Sequence, residues 1–236
     1  MKLSIFGLLL ISTLSIFGLT ACSSTENTAN QPAVSTATPP HPKSLSSEKS
    51  LPKIVAFGDS LTAGYGLSTK DSYPSLLQEK LKKDGFEYEV VNAGVSGDTT
   101  AGGVRRIDWA LEGDVRAVIL ELGANDLMRG QPIKEMKKNL AEIIEKAQAK
   151  KAAVILAAIE VPKDVSKELN SAVTSVYQEL SKEYNVTLIP SFLDRVAGIE
   201  SLNQNDGIHP NIEGTKIVTE NVYKYVKPIL EKEEKK

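Results

Sequence analysis

Sulfur and imidazole chemistry are almost missing from this 236-residue chain. Its single cysteine is Cys22, so the remainder of the chain can form no internal disulfide, no cysteine-based zinc or iron–sulfur site, and offers no thiol nucleophile. Only His41 and His209 supply imidazole, so a metal site would need oxygen ligands almost throughout. Neither sign of charge is in excess: 28 basic residues against 30 acidic give a formal net charge of −2, with both signs dispersed along the chain. Such a surface does not favour a polyanion, which argues against nucleic acid as a partner. Glycine loops for phosphate are lacking too. Gly64-Tyr65-Gly66 is not followed by glycine at the required spacing, and no glycine-lysine-hydroxyl P-loop occurs. Nothing here calls for a cofactor or a metal.

What is present begins with Met1 and Lys2, followed by an almost uncharged run from Leu3 to Leu19. Residues 1–21 read as a secretion signal, the alternative being a short retained membrane anchor. Leu19-Thr20-Ala21-Cys22 resembles the bacterial lipobox, in which the cysteine is lipidated and the signal is cut just before it. By that resemblance Cys22 is the lipidation site, and the chain is tethered to a membrane of a bacterial cell envelope, facing the periplasm or the exterior. Residues 22–52 form the expected disordered tether, rich in Ser, Thr, Asn and Pro. His41 lies inside it between Pro40 and Pro42, where nothing orients it, so any histidine-dependent reaction must use His209.

From Lys53 the pattern changes to short β-branched runs separated by amphipathic stretches, the signature of an α/β domain over residues 53–230, with 231–236 left as a charged tail. Strands are expected at Ile54–Phe57, Tyr88–Asn92, Ala117–Leu122, Ala153–Ala158 and Val186–Ile189. Helices are expected at Pro74–Lys83 (with Ser72 as cap and Gly85 as stop), Ala101–Leu111, Ile133–Lys150, Asp164–Tyr184 and Ile212–Leu230. Right-handed crossovers fold that alternation into a single doubly wound, parallel five-stranded sheet with helices on both faces, flavodoxin-like in outline.

In such a fold the loops leaving the carboxyl ends of the strands line the reactive crevice. The first carries Gly58-Asp59-Ser60-Leu61, the second Ser96-Gly97-Asp98-Thr99, and the third Gly123-Ala124-Asn125-Asp126. Taken singly, each is also what an ordinary strand-to-helix turn looks like. Near the C-terminus Asp206-Gly207-Ile208-His209-Pro210 sets a carboxylate three residues before the usable histidine. A serine hydroxyl becomes a nucleophile when a neutral imidazole takes its proton, and a carboxylate fixes that imidazole's tautomer. Ser60, His209 and Asp206 supply those parts. An Asx-type turn holding a satisfied histidine and an oxygen-rich metal pair are the alternatives for Asp206 and His209.

Together and in this order, the four motifs resemble the SGNH (GDSL) family of serine hydrolases, and the longer strings Gly58–Gly66, Ser96–Trp109, Glu121–Gly130 and Leu202–Asn211 resemble its bacterial branch of arylesterases and periplasmic thioesterase/lysophospholipases. The resemblance implies that Ser60 is the nucleophile, His209 the base and Asp206 its orienter. It also implies an oxyanion hole made of the Ser60 and Gly97 backbone N–H groups and the Asn125 side-chain amide. The implied activity is hydrolysis of small acyl or aryl esters, thioesters or lysophospholipids through an acyl-enzyme. Deacetylation of a cell-envelope polysaccharide and a non-catalytic binding lipoprotein are the alternatives. One departure touches substrate range: after the fourth strand, where relatives often carry a longer loop, this chain has Ala158-Ile159-Glu160-Val161-Pro162-Lys163-Asp164. Tyr65, Trp109 and Met128 read as packing residues, and Arg105, Arg106 and Arg129 as surface charges.

Overall fold

The computed structural model of the protein describes residues 50–159, 161 and 166–235. The expected signal, Cys22 and nearly all of the tether lie outside the described residues, as do Glu160 and residues 162–165 of the loop after the fourth strand. Five strands form the sheet: β1 (Lys53–Gly58), β2 (Glu89–Gly94), β3 (Val115–Glu121), β4 (Ala153–Ala157) and β5 (Thr187–Ile189). All pair in parallel in the order β2-β1-β3-β4-β5. The helices are α1 (Ser60–Ala63), α2 (Tyr73–Lys83), α3 (Thr100–Ala110), α4 (Ala124–Met128), α5 (Ile133–Ala149), α6 (Lys167–Glu183) and α7 (Ile212–Glu233).

The pleat sorts the central strands between two cores. Val55 and Phe57 of β1, Val118 and Leu120 of β3, and Val154 and Leu156 of β4 face α3, α5 and α6. Ile54 and Ala56, Ala117 and Ile119, and Ile155 and Ala157 face the other way, onto α2 and α7. Burial on both faces is why these strands read as unbroken apolar runs rather than as alternation. In α5 the buried set is Met136, Leu140, Ile143, Ile144 and Ala147, one stripe of a 3.6-residue helix. Each buried aliphatic side chain contributes on the order of 1.5–3 kcal/mol relative to exposure.

Local chemistry sets most helix starts. Thr99, Ser166 and Asn211 accept from the Gly102, Leu169 and Gly214 N–H groups and so cap α3, α6 and α7. Ser72 stands at the cap position of α2 but does not cap it; its hydroxyl donates to the Thr69 carbonyl at 2.8 Å, closing a short 3-10 turn instead. The helix after β4 begins at Lys167 rather than Asp164, behind the Ser166 cap. The last helix runs on to Glu233, past the expected end at Leu230, because the tail's Glu and Lys residues are strong helix formers. Residues 231–233 therefore belong to the folded domain rather than to a tail. Among the described residues no helix is long and apolar enough to cross a membrane.

Candidate active site

β1 pairs with β2 on one side and β3 on the other, so the chain reverses its winding between β1 and β3, and the crevice beyond their carboxyl ends receives the loops of all three strands. Gly58 ends β1 where nothing larger fits: a Cβ there would stand 2.1 Å from the Thr62 hydroxyl and 2.6 Å from the Glu121 carbonyl oxygen. The chain then turns at once into α1, and Ser60 is its first residue. An N–H at that helix position has no intrahelical acceptor.

His209 reaches the same point from the far end of the chain. Its Nε2 lies 2.8 Å from Ser60 Oγ and its Nδ1 lies 2.7 Å from Asp206 Oδ2. Burial alone would raise the Asp206 carboxyl; the backbone N–H of His209, the His209 ring and the backbone N–H of Ile208 outweigh it and bring it down to about 2. An ionised carboxylate only accepts, so the proton of a neutral ring sits on Nδ1 and the Nε2 lone pair faces the serine hydroxyl. Gln204 fixes this loop: its backbone N–H donates to the His209 carbonyl at 2.7 Å, and its side-chain amide to the carbonyls of Tyr65 and Pro210.

Asn125 stands in α4 beyond β3, 7% exposed. Gly97 lies in the turn closed by the Asp98 N–H on the Val95 carbonyl, at φ +78, a left-handed conformation that favours glycine. Of the five residues expected at the site, Ser60, His209 and Asp206 are joined by hydrogen bonds, while Gly97 and Asn125 stand in the loop after β2 and the helix after β3. Ser60, Asn125 and His209 also line a cavity of about 450 Å³ with Leu127, Met128, Ile159, Val161, Leu193 and Ala197. Hydroxyl, imidazole and carboxylate in line, beside an apolar cavity, can transfer an acyl group through the serine.

Residues 56–217 match the GDSL-like lipase/acylhydrolase family. The chain belongs to that family. It is 36% identical over 187 residues to the esterase TesA of Pseudomonas aeruginosa, covering 79% of this chain and 93% of that protein. To the thioesterase 1/protease 1/lysophospholipase L1 of Escherichia coli it is 33% identical, over 75% of this chain and 84% of that protein. The crystal structure of TesA superposes with a TM-score of 0.73 at 37% identity, covering 75% of this chain and 99% of that one. That of the psychrotrophic esterase EstA from Pseudoalteromonas, inhibited by monoethylphosphonate, superposes with a TM-score of 0.71 at 34% identity, covering 76% and 98%. Membership in this acylhydrolase family, together with these esterase relatives, makes the protein a serine ester hydrolase.

Several residues of this acylhydrolase site depart from what their sequence context suggests. Arg106 is no surface charge: its guanidinium donates to Asp98 at 2.7 Å and to the Ala93 and Gly58 carbonyls at 2.7 and 2.8 Å, and it lies 3.9 Å from the centre of the Phe57 ring. It ties the ends of β1 and β2 to the Gly97 turn. Arg129 donates to the Gly97 carbonyl at 2.6 Å, and both it and Arg105 remain exposed at the surface. Tyr65 and Met128 are not packing residues either. Tyr65 is half exposed with its ring centre 4.7 Å from that of His209, Met128 borders the cavity, and Trp109 is exposed on α3.

Beneath the serine lies Glu121, fully buried. Its Oε2 accepts from the Thr62 hydroxyl at 2.9 Å and the Asp59 N–H at 3.4 Å, and among the described residues Oε1 meets no hydrogen-bond partner. An acidic residue inside the apolar run Ala117–Leu122 was the signal for it, since a charge in a doubly covered strand must be buried. Burial first, and the neighbouring Asp59 carboxylate second, push the Glu121 carboxyl well above its ordinary value of 4.5. Burial raises Asp59 too, opposed by the Leu61 N–H and the Asn125 amide.

A carboxyl raised on folding stabilises the native state most below its unfolded value, and that contribution is lost as pH rises toward the folded value. Glutamine keeps the shape but cannot ionise. Glu121→Gln is therefore expected to gain stability relative to wild type as pH rises from about 4 to 8. Urea midpoints measured across that range check it, and a difference that does not change with pH contradicts a buried neutral acid.

Proposed function

We propose that Ser60, His209 and Asp206 are the catalytic triad of this ester hydrolase, with the Ser60 and Gly97 N–H groups and the Asn125 amide as its oxyanion hole. The observation that carries the reading is the unbroken line Ser60 Oγ–Nε2, Nδ1–Asp206, at 2.8 and 2.7 Å. Ser60 Oγ attacks the acyl carbonyl carbon as His209 Nε2 takes the hydroxyl proton, and Asp206 stabilises the imidazolium. The carbonyl oxygen becomes the oxyanion held by the three N–H donors. Collapse expels the leaving alcohol or thiol, protonated by His209, and leaves the acyl group on Ser60. Water, deprotonated by His209, then attacks the acyl-enzyme; His209 returns that proton to Ser60 Oγ as the carboxylic acid departs, to ionise in solvent.

The apolar lining of the cavity supports an aliphatic or aryl acyl group as the part bound. It favours such a group over the acetyl substituent of a polysaccharide, which would leave most of the cavity unfilled. Because thiolates and alkoxides leave from the same tetrahedral intermediate, thioesters and lysophospholipids join simple esters as candidate substrates. The relatives' names, esterase and thioesterase/lysophospholipase, support that range. The site works at a membrane surface in this reading: the lipobox-like Leu19-Thr20-Ala21-Cys22 places a lipid on Cys22, and the following segment tethers the hydrolase domain.

Asn125→Ala is expected to lower kcat by about 10²- to 10³-fold with little change in KM, since the amide binds the oxyanion more strongly than the ground-state carbonyl. Steady-state kinetics on a soluble aryl ester measure this. A variant within a factor of two of wild type would remove Asn125 from the mechanism. For the anchor, wild-type mature protein should carry a diacylglyceryl mass on Cys22 and fractionate with membranes, and Cys22→Ser should lose both while its hydrolase activity persists. Mature wild type with an unmodified Cys22 would defeat the anchor.

A further inference from the structure

Asp59 sits between the nucleophile and the oxyanion donor, yet acyl transfer through the triad assigns it no part. It is 1% exposed. Its Oδ1 accepts the Leu61 N–H at 3.1 Å, which caps the turn whose first residue is Ser60. Its Oδ2 accepts from Asn125 Nδ2 at 2.9 Å, across 66 residues of chain. We propose that Asp59 is a positioning residue for ester cleavage: one carboxylate oxygen holds the turn that presents Ser60, and the other turns the Asn125 amide so that nitrogen, not oxygen, serves the oxyanion. This rests on the reading of Asn125 as an oxyanion donor.

The two ends of a carboxamide have nearly the same shape, so shape alone does not orient Asn125. Hydrogen bonding does. A carboxylate is acceptor-only, and a flipped amide would set its oxygen against Asp59 Oδ2 with no proton between them. At this depth no solvent relieves such a contact, so the flipped state is strongly disfavoured. With one Nδ2 hydrogen committed to Asp59, the second is held at a fixed angle within the cavity wall that Asn125 shares with Ser60 and His209. The donor is in place before substrate arrives, which is what makes an oxyanion hole effective. Glu121 supports the arrangement from below, its Oε2 accepting the Asp59 N–H.

Asp59→Asn separates the two duties. Asparagine still caps a helix start through its side-chain oxygen, but its other end is now an NH₂ donor, which no longer accepts from Asn125 Nδ2 and instead favours the Asn125 oxygen facing it. The expected result is a fall in kcat of about 10- to 100-fold with KM within about twofold of wild type. In an Asn125→Ala background the same substitution should cost less than about threefold, because the group it acts through is gone. Independently of any variant, one side-chain amide proton of Asn125 in wild type should exchange slowly by ¹⁵N NMR, the resonance being assigned by its loss in Asn125→Ala. Asp59→Asn within twofold of wild type in kcat, or an undiminished loss in the Asn125→Ala background, overturns the proposal while leaving the oxyanion reading intact. Should Asp59→Asn not fold, free exchange of both Asn125 amide protons in wild type overturns it. An Asn125→Ala enzyme with near-normal kcat removes the oxyanion reading itself, and Asp59 loses its role with it.

Discussion

Strand β1 is hydrogen-bonded on both sides, to β2 and to β3, and this double pairing is the constraint on which the site depends. Three loops that are far apart in sequence leave the sheet side by side because the three strands run parallel and in register: Phe57 and Gly58 lie opposite Ala93 and Gly94 on one neighbour and Leu120 and Glu121 on the other. Serine, glycine turn and asparagine all lie a few residues beyond these rigid strand ends, and short connections hold their geometry better than long ones. Only His209 and Asp206 come from outside this frame. They are brought in by a loop pinned through Gln204 and by α7, which Asn211 caps just beyond it.

That frame is built at the cost of burying polar groups. Arg106, Asp59, Glu121 and Asp126 lie under or beside the crevice, and each is held by named partners: Asp126, for instance, accepts from both the backbone and the hydroxyl of Thr100, at 2.8 and 2.5 Å. An apolar floor of the same volume would give more stability and less definition. Here the polar floor ties the strand ends and loops beside the serine to named partners, and each buried group fixes an angle that solvent would otherwise leave loose.

Signal length decides how much of this could be read from the residues alone. The strands carry unbroken apolar runs and the long helices carry a 3.6-residue stripe, so their existence and order were legible, with ends displaced by a few residues. Helices α1 and α4 were not, since four or five polar-rich residues cannot establish a period, yet these two turns carry Ser60 and Asn125. The pairing of Ser60, His209 and Asp206, which the structure joins by hydrogen bonds, was legible because histidine is scarce: once His41 was set aside in the proline-rich tether, His209 and its upstream carboxylate had no competitor. What stayed hidden was whatever depends on direction rather than identity. Arg106 looks like any helix-surface arginine until the helix is docked on Phe57, and Asp59 looks like a turn former until Asn125 arrives from another strand.

The chemistry rests on Ser60 being an activated nucleophile that faces a formed oxyanion hole. A fluorophosphonate probe reacts with a serine only where a base has taken up its proton and donors can hold the phosphonyl oxygen, so it reads the assembled site rather than the presence of a hydroxyl. One adduct per domain is expected, mapped by peptide mass to the segment holding Ser60, absent in Ser60→Ala and much slowed in His209→Ala. Folded wild-type protein that takes no label and turns over no ester or thioester across several acyl lengths would contradict an activated Ser60.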